Sequence, residues 1–571
     1  MTKDGACTPL AACRTNDMDV MDRLAALSRQ KNPSIDKGDV VLASVIAVSG
    51  SWISGVVRED LGTNGTRAAV NEGLQIGGLV RIDAPEARVF GLVNSLRIEE
   101  IVSPLGKSER RLVEIQLVGE IVGTPDGTSV RFQRGVSAYP GLDAEIRAAT
   151  GAELRMVYAR PEAASVPIGT IHQDRSLPAY VMTDEMLGKH FAVLGTTGSG
   201  KSCSTALILR AILSENPCGH VLMIDPHNEY WTAFGDAAEV IHPDTLDLPY
   251  WMLDWEETSS VMVTKSNDSA ESERTILKWA IVEAKKKFAG TSEPTDHYTV
   301  DTLVPYRIGD LLKIIDADMG ELDKPDGTVP YKRLMARIEA LRADRRLEFM
   351  FGASFVQDNL MEILSRMLRI PTYGKPITIL DISGLPAEIV DVVVSLICRT
   401  LFDFAVWSPR NQARPVLLVC EEAHRYAPEK ETDGFAPTKR ALARIAKEGR
   451  KYGIGLCLVS QRPSELSTGI LSQCNTLFAM RMSNDRDYEF VKRAMPESAH
   501  GLLGALPALR TQEAIAVGEG VSVPMRMCFD DLGDGERPQS GTAQFARLWV
   551  AETADEQLVA ETIYRWRNQI R

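Results

Sequence analysis

One short string constrains this chain more than any other: Gly195-Thr196-Thr197-Gly198-Ser199-Gly200-Lys201-Ser202 follows the apolar run Phe191-Ala192-Val193-Leu194 and precedes a helical pattern over Leu207 to Leu213. A Gly-x-x-x-x-Gly-Lys-Ser string between a strand and a helix is a phosphate cradle. Its glycines let backbone N–H groups converge on a β-phosphate, and the helix N-terminus adds positive potential. Lys201 is placed to reach the β- and γ-phosphates and Ser202 to ligate Mg²⁺. The loop, with Cys203 just behind it, is therefore expected to bind ATP and Mg²⁺.

Binding alone is not hydrolysis, which needs a carboxylate to orient the attacking water. Val416-Leu417-Leu418-Val419-Cys420 reads as a buried strand ending in Glu421-Glu422-Ala423-His424. Two adjacent carboxylates at a strand tip are costly to bury without a cation, and Mg²⁺ with a nucleotide supplies one. Glu421 is assigned to the metal's water shell and Glu422 to water activation. Asp225, opening Asp225-Pro226-His227-Asn228-Glu229-Tyr230, ends the strand after the P-loop helix and should face the same edge of the sheet. His227 reads as a structural hydrogen-bonding residue. A third cluster runs from Arg444 through Arg450 and Lys451 into a strand that ends at Ser460, followed by Gln461-Arg462-Pro463. Gln461 at a strand tip suits a γ-phosphate sensor, and an arginine can neutralise charge on a transferred phosphoryl group, including one supplied by a neighbouring subunit. For Arg444 and Arg450 the choice among finger, sensor and surface charge stays open.

At 571 residues the chain exceeds what one hydrophobic core usually supports, so several domains are expected. Residues 1–37 read as a peripheral arm with a short helical candidate. From 38 to 150 the texture is β, with runs such as Val40–Ile46, Leu79–Ile82, Phe90–Val93 and Val113–Val118 between turns. Such spacing suggests a small barrel, although a sandwich has the same periodicity. Beyond Ile168 the pattern becomes strand then helix. Val221–Ile224, Ile377–Leu380, Leu456–Val459 and Thr476–Ala479 are continuous apolar runs, which fit a parallel sheet covered on both faces. The expected class is α/β, with the sheet core in two parts, 151–255 and 371–530, separated by a helical insertion at 256–370. In that insertion Lys285-Lys286-Lys287 and Arg342 to Arg346 read as solvated helix faces. Residues 531–571 read as a flexible link, Asp530 to Gly541, and a terminal amphipathic helix, Ala554 to Gln569, that can dock on a neighbouring subunit.

Composition excludes some classes. No apolar run reaches the ~20 residues a membrane span requires, and Met1 to Asp17 lacks the apolar core of a secretory signal, so a cytoplasmic location is expected. Nine cysteines without CxxC or Cys/His metal spacing read as reduced thiols, with Cys203, Cys398, Cys420 and Cys457 in or beside apolar segments. A net charge of −13 opposes a protein coated in positive potential, because sequence-independent DNA affinity comes from Lys and Arg on phosphates. A ring around a duplex needs basic groups only along its channel.

With these motifs in hand the chain resembles the HerA-like branch of the FtsK–HerA ATPases, hexameric motors that pump double-stranded DNA. The likeness rests on Lys189-His190 through Ser202, Asp225 to Tyr230, Glu421 to His424, Arg444 to Pro463 and Leu471 to Thr476. It extends to Leu506-Pro507 with Glu513-Ala514-Ile515, and to Phe132 to Val136 with Tyr139-Pro140, covering about residues 38 to 530. The resemblance implies a RecA/FtsK-like core, a HAS-type β-barrel at 38–150 that receives partners, and a homo-hexamer acting on double-stranded DNA. It also implies a NurA-like nuclease or a sirtuin-like NAD-consuming effector as partner, in DNA end processing or anti-phage defence. Two positions depart from the pattern. Lys189 stands where many relatives carry an Arg that acts across the subunit interface, and it keeps the charge without the bidentate fork. Asn228 stands where the family commonly has Gly. A ring that merely organises an effector, and a small-molecule phosphotransferase, are the alternatives.

Overall fold

The computed structural model describes residues 40–58, 74–85, 87–103, 106–123, 130–263, 270–290, 294–320, 325–352, 357–430, 434–495, 499–539, 545–550 and 556–568. The expected N-terminal arm and its helical candidate lie outside them.

The first unit is built from β1 (Val41–Ser49), β2 (Trp52–Val57), β3 (Leu79–Asp83), β4 (Arg88–Ser103), β5 (Gly106–Gly123), β6 (Val130–Arg134) and β7 (Glu145–Ala148). Their order is β2-β1-β7-β3-β4-β5, and pairing of β2 with β5 closes the sheet into a barrel, with β6 hanging on β5 outside the closure. Closure decides between barrel and sandwich. Register irregularities at Val45/Ala47, Phe90/Gly91 and Val93/Ser95 supply the curvature a closed sheet of short strands needs. At Gly91 the reason for glycine is direct: an added Cβ would meet Ile115 Cγ2 at 2.3 Å. Inward-facing Leu42, Val45, Ile53, Val80, Ile82, Val113 and Ile146 fill one core.

The second unit carries β8 (Ser165–Ile171), β9 (Pro178–Met182), β10 (Phe191–Leu194), β11 (Val221–Asp225), β12 (Ala238–Ile241), β13 (Ile377–Asp381), β14 (Val416–Cys420), β15 (Ile454–Ser460), β16 (Thr476–Met480), β17 (Glu513–Gly518) and β18 (Met525–Phe529). They form one sheet in the order β12-β13-β11-β14-β15-β10-β16-β17-β18-β8-β9. From β12 to β16 every pairing is parallel, and from β16 to β9 every pairing is antiparallel. The apolar runs read as buried strands are buried at every position in β10, β11, β13, β14, β15 and β16. The fold is thus α/β, a P-loop-type parallel core with an N-terminal β-barrel, and the antiparallel extension is an addition to the expected sheet.

The stretch between β12 and β13 is helical, with Trp255–Met262, Ala270–Ala289, Ile308–Gly320, Val329–Ala343 and Leu360–Leu368. Here one expectation is corrected. Lys285 does not lie on a solvated face: it is 1% exposed, and its Nζ donates to the carbonyls of Val300 and Thr302, both at 2.6 Å. Burial pulls its ammonium down to about 8. Lys286 and Lys287 stay near the surface, paired with Glu283 and Asp310.

Barrel and sheet are locked together at close quarters. Helix His500–Leu503 lies so near β4 that a Cβ on Gly501 would fall 0.5 Å from Asn94 Oδ1. Arg134 of β6 donates to the carbonyl of Gly518 at 3.0 Å. The segment after β18 also departs from expectation. Instead of a free link, residues 530–539 are tied along the P-loop helix Lys201–Glu215 and its neighbours: Arg210 pairs with Glu536, Thr232 Oγ1 donates to the Arg537 carbonyl at 2.8 Å, and the Gln539 N–H donates to the Glu229 carbonyl at 2.8 Å. Helix Glu556–Arg567, by contrast, is exposed at every position.

Candidate active site

Parallel pairing delivers the tips of β10, β11, β14 and β15 to one edge of the sheet, and strand order decides which tips are neighbours. Because β14, β15 and β10 are consecutive, Glu421-Glu422, Gln461 and the P-loop come together although they are far apart in sequence.

The loop itself is shaped by backbone freedom. Gly198 and Gly200 take φ of +75° and +100°, and Gly200 caps the helix that starts at Lys201. At Gly195 a Cβ would come 2.8 Å from both Met480 Cβ and Ser199 Oγ. Thr196 is fixed on the β16 side, donating from N and Oγ1 to the Arg481 carbonyl at 3.0 Å each. Lys201 is buried, and its Nζ donates to the Thr196 carbonyl at 3.2 Å. Burial lowers its pKa, opposed by the carboxylates of Glu421, Glu422 and Glu229.

Facing Lys201 is an excess of acid, while Arg481 Nη2 lies 3.4 Å from the Gly198 carbonyl on the exposed side of the loop. Glu421 is buried and accepts from Tyr230 Oη at 2.9 Å. Burial, with the nearby charge of Glu422, raises its pKa to about 8. Glu422 sits in the left-handed region, φ +52° and ψ +42°, a strained conformation for a non-glycine residue that costs of order 1–3 kcal/mol. That backbone turn aims its carboxylate at the P-loop. Oε1 accepts from Gln461 Nε2 at 2.7 Å, while buried Oε2 accepts no hydrogen bond from the described residues, although His424 Nδ1 is 3.2 Å away. Burial pushes His424 down to about 4, so it is neutral near pH 7. Gln461 also accepts from Thr197 Oγ1, which makes it a bridge between the P-loop and Glu422.

Asp225 lies at the same edge of the sheet, where a supporting role beside the magnesium or a DNA-facing loop is expected, and its visible contacts are with the turn that follows it. Its carboxylate is fully buried and accepts the backbone N–H groups of His227, Glu229 and Tyr230 at 3.1, 2.8 and 3.0 Å. It shapes the turn that carries Glu229 and Tyr230. Asn228 in that turn adopts φ +54°, which Asn tolerates better than most residues, so the departure from Gly is accommodated. Sequence reasoning passed over Glu229 and Tyr230. Glu229 Oε2 accepts from Ser202 Oγ at 3.3 Å and Tyr230 holds Glu421, yet only their place in the string after Asp225 hinted at it.

Ser202, Glu421, Glu422 and Glu229 make a cation-demanding cluster, and a buried carboxylate oxygen without a donor fits a Mg²⁺–nucleotide partner. When bound, Mg²⁺ neutralises phosphate charge. Lys201 and the loop N–H groups could then hold the phosphates, and Glu422, linked to the loop through Gln461, stands where it could orient a water.

Lys189, Arg444 and Arg450 do not join this cluster. Lys189 precedes β10 and Arg450 precedes β15, so both lie at the opposite edge of the sheet from their own P-loop. Lys189 Nζ is paired with Glu185 at 2.5 Å and with Glu519. His190 beside it is buried at φ +58°, accepting from Leu456 N–H on Nδ1 at 3.0 Å and reaching the Ala446 carbonyl with Nε2 at 3.1 Å. Arg444 lies over the Phe402 ring at 4.2 Å and 3.8 Å from Asp403. The Arg450 side chain is exposed and makes no hydrogen bond or ion pair among the described residues. Cys203, expected within the nucleotide site and an apolar segment, is half-buried on the first turn of the P-loop helix.

The family described as the central domain of helicase HerA matches residues 166–401. The DNA double-strand break repair helicase HerA of Pyrococcus furiosus is 26% identical over 489 residues, covering 79% of this chain and 83% of that protein. That of Sulfurisphaera tokodaii is 26% identical over 501 residues, covering 84% and 93%. Among solved structures, VirB4 of Thermoanaerobacter pseudethanolicus aligns with a TM-score of 0.45 at 15% identity, over 66% of this chain and 99% of that one. The chain is thus similar over most of its length to DNA double-strand break repair helicases named HerA, and its middle matches the central domain of that family.

Proposed function

We propose that this ATPase is a hexameric double-stranded DNA translocase that works with a partner nuclease or other effector in DNA end processing or anti-phage defence. One observation carries the ring: the proposed phosphate-binding and water-orienting groups occupy one edge of the sheet, while Arg450, exposed and unpaired among the described residues, and the Lys189 cluster occupy the other. Head-to-tail packing of protomers brings the second edge of one copy against the first edge of the next, and closure of such contacts gives a ring. Lys189 and Arg450 then supply positive charge to a neighbour's γ-phosphate. The names of the relatives, DNA double-strand break repair helicases, support DNA as the polymer moved.

The effector role has its own support. The barrel exposes Ile46, Leu96 and Ile98, the last two on the long β4–β5 hairpin, an apolar surface for a NurA-like nuclease or a sirtuin-like NAD-consuming protein. The exposed Leu558, Val559, Ile563, Tyr564 and Trp566 of the terminal helix suit docking on an adjacent protomer. The acidic net charge favours the second reading, an ATP-gated scaffold that activates its effector with little translocation. Among the described residues no helix is long and apolar enough to cross a membrane, and the reading places the ring in the cytoplasm. The test is mass photometry with and without nucleotide, alongside ATP turnover with linear double-stranded DNA. Rings whose turnover rises severalfold with duplex support translocation; rings indifferent to duplex favour the scaffold, and monomers under all conditions remove both.

A further inference from the structure

We infer that Asp531, held by Gln512, is the ribose-binding group of the nucleotide site, and that it makes the ATPase selective for ribonucleotides over 2′-deoxyribonucleotides. The inference rests on the ATPase reading of the P-loop and names the side of that site which neither the motifs nor the strand-tip carboxylates define.

Direction comes from topology. The P-loop strand β10 lies between β15 and β16. Glu422 and Gln461 flank it on the β14–β15 side, so a γ-phosphate that meets them points that way. The rest of a nucleotide must therefore extend past Cys203 toward β16, β17 and β18. Since β17 runs antiparallel to β16 and β18 antiparallel to β17, the loop entering β17 and the loop leaving β18 return to the P-loop edge. Those two loops are residues 510–512 and 530–531.

They are fastened to the P-loop. The Gln512 N–H donates to the Ser199 carbonyl at 3.0 Å, and Gln512 is held at φ +67°, in the left-handed region. A Cβ on Gly200 would lie 3.4 Å from that same Gln512 nitrogen, so the two backbones are in contact. Gln512 Nε2 donates to Asp531 Oδ1 at 2.8 Å, and the Phe529 N–H donates to the Gln512 carbonyl at 2.9 Å. Asp531 is exposed, with Oδ1 committed to Gln512 and no hydrogen bond assigned to Oδ2 among the described residues. A carboxylate anchored through one oxygen and free at the other is an acceptor for a ribose hydroxyl, the use acidic residues serve in other nucleotide folds. Its position is kept by the tied segment behind it, through Arg210 with Glu536 and the Arg537 Nε bond to the Leu532 carbonyl at 3.0 Å.

The test is steady-state turnover of the full chain with ATP and with 2′-deoxy-ATP, in wild type, Asp531→Asn and Gln512→Ala. Wild type is expected to prefer ATP by about tenfold in kcat/KM, the order of one hydrogen bond to a charged acceptor. Asp531→Asn should bring the two substrates within about twofold by raising KM for ATP with kcat little changed, and Gln512→Ala should shift the ratio the same way by less. A wild type that turns over both nucleotides equally overturns the inference and leaves the ATPase reading intact. So does an Asp531→Asn chain that keeps the wild-type preference. A wild type that binds neither nucleotide removes the ATPase reading and this inference with it. Asp531 is on the surface, and circular dichroism of the variant checks that the fold is kept.

Discussion

The two edges of the large sheet are built differently. At the P-loop edge the buried groups are mutually engaged: Lys201 faces Glu421, Glu422 and Glu229, Gln461 bridges Thr197 to Glu422, and Asp225 accepts from three backbone donors. At the other edge Arg450 is exposed and unpaired among the described residues, while Lys189 is engaged by two acids at the surface. A mutually engaged edge opposite one with an exposed arginine is what the proposed shared active site asks of a single protomer. In the proposed reading the P-loop edge binds ATP, with Arg481 already 3.4 Å from the Gly198 carbonyl, and a neighbour's second edge adds positive charge at the transferring phosphoryl group.

The largest expected effect tests the first edge. Lys201→Ala should abolish nucleotide binding and lower ATP turnover by at least ~10³-fold, since the buried cation facing the acid cluster is lost; isothermal titration with ATP checks the binding arm. Arg450→Ala should lower turnover by about 10³-fold while leaving ATP affinity within a few-fold, the split expected of a finger from a neighbour. Equal loss of affinity would place Arg450 in the cis site and erase the contrast between edges. Glu422→Gln should slow turnover ~10²–10³-fold with ATP still bound, because the amide cannot take a proton from water. Near-normal turnover removes the water-orienting assignment.

A smaller effect sharpens the electrostatics of the first edge. The Glu421 carboxyl lies at about 8 in the fold against an ordinary 4.5, so the folded state holds its proton more tightly than the unfolded one. Stability from this group is full below about pH 4.5 and is lost as pH rises through about 8. The nucleotide-free protein should therefore lose more thermal stability between about pH 5 and 8 than Glu421→Gln does, and ATP with Mg²⁺ should reduce that loss. Identical pH slopes in scanning calorimetry would show that the acid cluster is not strained in the absence of nucleotide.

Much of this contrast was legible in the sequence, for identifiable reasons. The P-loop and the strand ending in Glu421-Glu422 are local patterns in which periodicity and motif agree, and continuous apolar runs announce buried parallel strands. Strand order is a non-local property. Which tips adjoin, and hence that Gln461 bridges Thr197 and Glu422 while Arg444 lies over Phe402, could not be read from spacing. The buried Lys285 was missed because its partners are backbone carbonyls, which no side-chain pattern encodes. The segment 530–539 read as a free link from its Gly, Asp and Pro content, yet Glu536, Arg537 and Gln539 tie it to Arg210, Thr232 and Glu229. The φ of Asn228 illustrates the reverse case, where an apparent departure leaves the turn intact because Asn tolerates the conformation Gly favours.

Mixing two inactive chains tests the shared site most directly. Lys201→Ala supplies an intact Arg450 edge and Arg450→Ala supplies an intact P-loop edge, so mixed assemblies contain wild-type seams although neither chain alone does. ATP turnover is predicted to recover to roughly a quarter of wild type at equal mixing, as random neighbour pairing gives for a heterologous ring. A mixture that assembles and stays as inactive as its two components would contradict the account.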